Sequence, residues 1–430
     1  MEEHLTLDIA ALDAEGRGVA RNAQGKVVFV EGALPGETVE ARPLHGKRSF
    51  DLARAVAILR ESPARREPRC PQFGICGGCV TQHADARTQV AAKQRWLEDC
   101  LARIGKVHAG SLLPPLYGEE WGYRRRARLS VRYVPTKGAL VGFRERRSTY
   151  VADMRSCDVL PPQVSALIPG LRGLVEQLSI RDRVPQIEVA VGDDATVLVF
   201  RHLLPLTDED RALLRRFAEV AGVHVWVQPA GPSSAIPLHP AARDVLSYHL
   251  PAYGVRIAFE PTDFTQVNDP INRALVSRVM RLLDPRPGER IADLFCGLGN
   301  FSLPIARLGA QVIGFEASDA LVQRARENAR ANGLVAQFEV ADLFNAKVDS
   351  FGRFDKILLD PPREGAIEVV KATSAAWPRR IVYVSCDPAT LARDAAVLVH
   401  TKGFTLEAAG VVNMFPHTAH VESVALFERG

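Results

Sequence analysis

A chain of 430 residues that is 47% hydrophobic and 24% charged is an ordinary globular sequence with room for two or three domains. No apolar run is long enough to span a bilayer, and the acidic opening Met1-Glu2-Glu3-His4-Leu5 is unlike a signal peptide, which excludes a membrane role and points to the cytoplasm. The net charge of +4 hides two basic segments: residues 42–69 hold eight Lys or Arg against three Asp or Glu, and residues 121–150 hold nine against one. Either segment alone reads as a solvated face, but two on an otherwise acidic chain make a nucleic-acid footprint. Seven cysteines in a reducing compartment argue for metal binding or catalysis rather than disulfides.

Residues from about Leu5 to Leu59 read as five short strands broken by glycine and proline turns, with Ser62-Pro63 as the boundary. Strands of that number and length predict a small barrel of the oligonucleotide-binding sort over residues 1–61. Its basic rim, Arg42, Lys47, Arg48 and Arg54, would track phosphates without reading sequence.

A middle segment, 62–255, opens on Cys70-Pro71-Gln72-Phe73-Gly74-Ile75-Cys76-Gly77-Gly78-Cys79. Three cysteines spaced C-x5-C-x2-C, with glycines that let the backbone curl, are a ligand signal. A closed site needs a fourth thiolate, and Cys157 in Met154-Arg155-Ser156-Cys157-Asp158 is the candidate. Four thiolates suit zinc or an iron–sulfur cluster. Spacing alone does not decide the metal, although three plus one leans towards iron–sulfur. A redox pair at Cys76 and Cys79 is the alternative, but no thioredoxin-like βαβ pattern surrounds it. Ala84 to Ile104 reads as one long helix with Val90, Leu97, Leu101 and Ile104 on its apolar stripe and Gly105 closing it; Cys100, near the stripe, reads as packing.

At period two, Arg124, Arg126, Arg128, Ser130 and Arg132 share one face of the next strand, a basic face suited to folded RNA. A hairpin partner, Leu140 to Arg144, and the return through Tyr150-Val151-Ala152 would carry Cys157 back to the other cysteines. Further strands and helices complete a mixed α+β domain ending near Tyr253.

From 256 to 430 strands and helices alternate, the pattern of a doubly wound parallel sheet. Arg290 to Phe295 is the first strand and Cys296-Gly297-Leu298-Gly299-Asn300 the glycine turn after it. Gln311 to Glu316 is a second strand, ending about twenty residues on in an acid where a ribose diol expects its partner. The turn lacks the third glycine of the dinucleotide fingerprint, so a nucleoside without phosphates, such as S-adenosylmethionine, fits better. The third and fourth strands lead to Asp342 and Asp360, and the fifth, from Arg380, stops at Cys386-Asp387-Pro388. Asp387 is set to cap the following helix, whose end would favour the Cys386 thiolate; taken alone, Cys386 reads equally well as a buried core cysteine. Polar residues gathered at the ends of consecutive strands, where this fold keeps its crevice, favour the nucleophile. Glu422 opens the last strand within reach as a base, and His417 and His420 read as structural hydrogen bonders.

Assembled, these residues resemble the bacterial RNA uracil-C5-methyltransferases, in particular the branch acting on uracil 1939 of 23S ribosomal RNA, over nearly the whole chain. The likeness is carried by the cysteine run, Phe264-Thr265-Gln266-Val267-Asn268, Asp293 to Asn300, Asp360-Pro361-Pro362-Arg363, Ser385-Cys386-Asp387-Pro388 and His420-Val421-Glu422. It implies a multidomain α/β chain: a TRAM barrel, a mixed α+β iron–sulfur middle domain and a Rossmann-like class I methyltransferase domain. Cys70, Cys76, Cys79 and Cys157 are then ligands of a [4Fe–4S] cluster, and Gln266, Phe295, Asn300, Glu316, Asp342 and Asp360 surround S-adenosylmethionine. Cys386 is implied as the nucleophile and Glu422 as the base, in a monomer whose partner is 23S ribosomal RNA, with no membrane involved. Transfer-RNA relatives generally lack both barrel and cluster, so having both favours ribosomal RNA over another uridine. A radical methylthiolating enzyme would need C-x3-C-x2-C, and a non-catalytic RNA-binding factor would need neither Cys386, Glu422 nor the glycine turn.

Overall fold

A computed structural model of the chain describes residues 4–345, 352–374 and 378–429. At the amino end, β1 (Leu5–Asp8), β2 (Ala11–Leu12), β3 (Gly18–Arg21), β4 (Val27–Glu31), β5 (Thr38–Gly46) and β6 (Phe50–Arg60) form one sheet in the order β1-β5-β6-β4-β3-β2. The expected first strand breaks at Ile9-Ala10, so six strands stand where five were expected. Because the two edges are consecutive in the chain, the sheet curls into a barrel around Leu7, Val28, Val30, Val39 and Ala53. Two buried carboxylates fasten the barrel to the middle segment. Arg65 holds Glu37 at 2.5 and 2.7 Å, while Glu31 takes Arg147 at 2.8 Å and Arg54 at 3.0 Å. Of the expected rim, Lys47 and Arg48 are exposed, whereas the guanidinium of Arg54 is engaged by Glu31.

The helix Ala86–Cys100 ends earlier than its pattern foretells. A π-helical turn, Leu101–Gly105, follows, and Lys106 at φ 53° takes the left-handed capping position expected of Gly105. Gly105 is required for another reason: a Cβ there would meet the Ala392 carbonyl oxygen at 2.7 Å. Leu97, Cys100 and Leu101 are buried in one core with Ala292, Leu294 and Tyr383, and Ile104 is exposed. This helix, and β7 (Ser111–Leu112) after it, therefore belong to the carboxyl-terminal sheet although they lie within 62–255.

The middle sheet contains β8 (Arg126–Val134), β9 (Gly138–Gly142), β10 (Gln186–Val191), β11 (Thr196–Arg201), β12 (His224–Gln228) and β13 (Ile236–Pro237), in the order β13-β12-β11-β10-β8-β9. Along β8, Ala127, Leu129 and Val131 are buried and Arg128 and Arg132 exposed, the alternation a half-buried strand imposes. A small hairpin of β14 (Ser247–Leu250) and β15 (Val255–Ala258) spans the junction with the last domain.

That domain is built on β16 (Arg290–Leu294), β17 (Gln311–Glu316), β18 (Gln337–Val340), β19 (Lys356–Leu359), β20 (Arg380–Ser385), β21 (Thr405–Val412) and β22 (Glu422–Glu428). The order is β18-β17-β16-β19-β20-β22-β21-β7, with β16 to β20 mutually parallel and β22 antiparallel to both neighbours. Separate apolar cores cover its two faces, as a parallel sheet requires. Among the described residues no helix is long and apolar enough to cross a membrane.

Candidate active site

The five parallel strands all finish on one edge, at Leu294, Glu316, Val340, Leu359 and Ser385. β22 runs the other way, so its first residue, Glu422, stands on the same edge. The β20–β22 register pairs Ser385 with Ser423, which leaves Cys386 and Glu422 as the next facing positions.

Asp387 caps the helix Pro388–His400, its Oδ1 accepting from Ala389 N at 2.8 Å and Thr390 N at 3.2 Å. The expectation that this helix end favours the Cys386 thiolate fails. Burial, then the carboxylates of Glu422 and Asp360, push the thiol up to about 12, with Arg363 opposing. The amides that would stabilise a thiolate are taken by Asp387, whose own charge adds to the repulsion. Glu422 is buried, and no described residue hydrogen-bonds its carboxylate. Burial pushes it up to about 7 against the pull of Lys93 and Arg363. Burial and Glu422 also hold Asp360 well above the usual carboxylate range. A carboxyl group titrating near neutrality beside a partly exposed thiol is suited to take and hold a proton.

The other half of the edge surrounds the glycine turn. Phe295 sits at φ 67°, a left-handed conformation that costs a bulky residue about 1–2 kcal/mol and marks a constrained site. Glu316 accepts from Gly297 N at 3.2 Å and from Ser318 N at 3.0 Å. Asn300 Oδ1 accepts from Tyr248 Oη and Asn272 Nδ2, both at 3.0 Å. Asn272 in turn lines a small pocket with Gln266, which joins that residue to the turn. Asp342 lies one strand further out and exposed; bonds from Asn345 and Phe344 hold its carboxyl below the usual range. The six residues expected around the cofactor thus fall in two groups, with Asp360 on the side of the thiol.

Cys70, Cys76, Cys79 and Cys157 line one cavity of about 220 Å³, together with Arg124, Phe143 and His420. The hairpin brings them there: Gly77 N donates to Arg144 O, Arg146 N to Ile75 O and Ala152 N to Phe143 O. Cys157 N is held by Ser165 Oγ at 2.8 Å. Burial, and then the neighbouring thiols, push Cys79 up to about 11 and Cys157 up to about 12. No three metal-ligating side chains among the described residues converge closely enough to chelate a single ion. His417 is buried, with its backbone N bonded to Gln89 and its ring stacked on Trp121, and His420 meets Arg363 at 3.0 Å.

Sequence reasoning missed Lys93 as part of this site. It is buried, and its charge acts on Glu422 from the helix Ala86–Cys100. The signal was there: Gln89 and Lys93 occupy buried positions of an otherwise apolar stripe with Leu97 and Cys100.

Residues 3–48 match the TRAM domain model and residues 241–430 the tRNA (Uracil-5-)-methyltransferase model. The chain is 61% identical, over 98% of its length and 99% of the relative's, to a protein of Aromatoleum aromaticum named 23S rRNA (uracil(1939)-C(5))-methyltransferase RlmD. It is 62% identical, with the same coverage, to a Thiobacillus denitrificans protein of that name. Among solved structures, the tRNA (uracil-54, C5)-methyltransferase of Pyrococcus abyssi in complex with S-adenosyl-L-homocysteine superposes with a TM-score of 0.77 at 25% identity, covering 98% of this chain and 99% of that one.

Proposed function

The chain belongs to the RNA (uracil-C5)-methyltransferase family, and from that premise we propose that it transfers a methyl group from S-adenosylmethionine to C5 of uracil 1939 in 23S ribosomal RNA. When bound, the cofactor supplies an electrophilic methyl on a sulfonium sulfur; Gln266, Phe295, Asn300, Glu316 and Asp342 would hold it at the strand ends, with Asp360 between it and the thiol. Uracil C5 is a poor nucleophile until Cys386 Sγ bonds C6 and turns the ring into an enolate with its electron density at C5. The thiol gives up its proton to solvent before that bond forms, so that Glu422 stays ionised for the C5 proton. Once C5 carries the methyl, Glu422 takes the C5 proton, the freed electron pair restores the C5–C6 double bond, and Cys386 leaves as thiolate. The target base has to leave its stack to reach the thiol, and the exposed Arg128 and Arg132 on β8 suit the surrounding RNA. The reading takes the chain to act as a cytoplasmic monomer.

The observation that carries this reading is the β20–β22 register, whose last pair, Ser385 with Ser423, leaves Cys386 and Glu422 as the adjoining residues at the sheet edge. Ribosomal rather than transfer RNA is favoured by identities of 61% and 62% to the two bacterial relatives. The barrel does not separate the two RNA classes, contrary to the sequence expectation, because the Pyrococcus abyssi transfer-RNA enzyme matches over 98% of this chain.

We further read Cys70, Cys76, Cys79 and Cys157 as holding a [4Fe–4S] cluster. Support comes from four soft donors lining one cavity. The cluster would supply a covalent staple between the cysteine loop and the middle hairpin.

The test is a methylation assay on 23S ribosomal RNA with mass-spectrometric mapping of 5-methyluridine. The wild type is expected to modify uracil 1939 and Cys386→Ala to modify nothing, while Glu422→Gln leaves a covalent protein–RNA band on a denaturing gel. Methylation by Cys386→Ala would overturn the mechanism.

A further inference from the structure

The segment between β21 and β22 delivers Glu422 to the site, and the helix Ala86–Cys100 holds it along one face. Gln89 Oε1 accepts from His417 N at 2.8 Å, Gln94 Oε1 from Val411 N at 3.2 Å, and Lys93 Nζ donates to Asn413 Oδ1 and Phe415 O, both at 2.8 Å. Two neutral acceptors would be satisfied equally well by a neutral side chain, so they do not account for burying an ammonium, which is costly without a counter-charge. Glu422 is the carboxylate that acts on Lys93. Asp13, which shares a groove with Lys93, is already bonded to Arg17 at 2.7 Å.

We propose that Lys93 is the positioning residue of the base: it pins the turn at Asn413–Phe415 in the segment that leads into β22, the strand that opens on Glu422. The inference rests on Glu422 being the base, as proposed above. The other groups facing this pair are Arg363 and Asp360 from the loop after β19, Cys386 at the end of β20, and His417 and His420 beside it. Burial lowers Lys93 itself to about 7, so its charge is present on the acid side of neutrality, where it keeps the Glu422 carboxylate available to the C5 proton. Without that charge the base would be filled by a solvent proton before the adduct forms, and the adduct would persist.

The test compares Lys93→Gln, which keeps a donor for Asn413 and Phe415 O but no charge, with Lys93→Arg and Glu422→Gln. The measurements are kcat against pH on 23S ribosomal RNA with S-adenosylmethionine, and the fraction of RNA in covalent adduct. Lys93→Gln is expected to lower kcat roughly tenfold, to move the acidic limb up by about one pH unit and to accumulate adduct, with KM for RNA unchanged. Lys93→Arg should keep the limb at the wild-type pH. An unmoved limb in Lys93→Gln, or an equal shift in Lys93→Arg, overturns the proposal. If Lys93→Gln does not fold, Asn413→Ala, which frees the ammonium from one anchor, should move the limb in the same direction by less; an unmoved limb there is equally fatal. Absence of adduct in Glu422→Gln removes the base reading itself and is separable from any result at Lys93.

Discussion

Cys386 and the cysteines at 79 and 157 are alike in one respect and opposed in another. Burial pushes all three thiols well above the ordinary cysteine range. At Cys386 the next neighbours are two carboxyl groups, which can exchange protons, and the fixed positive charge of Arg363. At Cys79 and Cys157 the next charged neighbours are other thiols around a shared cavity, so ionising one opposes ionising the next until a cation arrives. Cys100 is a third case, buried among Leu97, Leu101 and Ala392, where burial and then Asp387 and Asp99 push its thiol up to about 11. The lesson is that residue type sets what a thiol is able to do, and the neighbours decide which of these it does.

Substitutions that separate the three cases sharpen the comparison. Cys386→Ala should lower kcat by more than about 10⁴-fold, because the other thiol on that edge, Cys296, is buried, while RNA binding by filter assay stays within about twofold. The acidity of Glu422 should come next. Since burial raises it to about 7, and the base must be ionised, kcat/KM should fall more steeply, by about a further tenfold for each pH unit, below that point. An activity independent of pH between 5.5 and 7, roughly the window this shift defines, would break the distinction drawn for Cys386. Cys157→Ser should abolish the visible absorbance expected of an iron–sulfur protein and lower the unfolding midpoint by several degrees; colourless wild-type protein containing zinc would point to the other metal. Cys100→Ala should cost about 1 kcal/mol in denaturant unfolding and leave kcat unchanged, as a small cavity in a packed core does.

Much of the carboxyl-terminal domain was legible because its signals are local. Alternating apolar runs, a glycine turn and an acid about twenty residues later specify a strand, a turn and a second strand wherever they fold. The helix over 84–104 was legible in its period and wrong at its end. Apolar spacing does not distinguish an α turn from a π turn, and Gly105 stands where it does because Ala392 approaches it. The thiolate expected at Cys386 failed for a similar reason. A helix terminus is visible in sequence, but the carboxylates opposite it come from strands tens of residues away.

The gathering of polar residues at the strand ends, the grouping of four cysteines and the alternation along β8 were legible in the sequence itself, through period and spacing, although of the expected basic face of β8 only Arg128 and Arg132 are exposed and Arg126 is drawn in. Only the tertiary structure decided that β22 runs antiparallel and sets Glu422 against Cys386. It also decided that a helix and strand from residues 86–112 join the catalytic sheet, and that Lys93 is buried beneath it. The physical reason is that periodicity records which face of an element is buried, whereas the identity of what buries it depends on contacts across hundreds of residues that no local window contains.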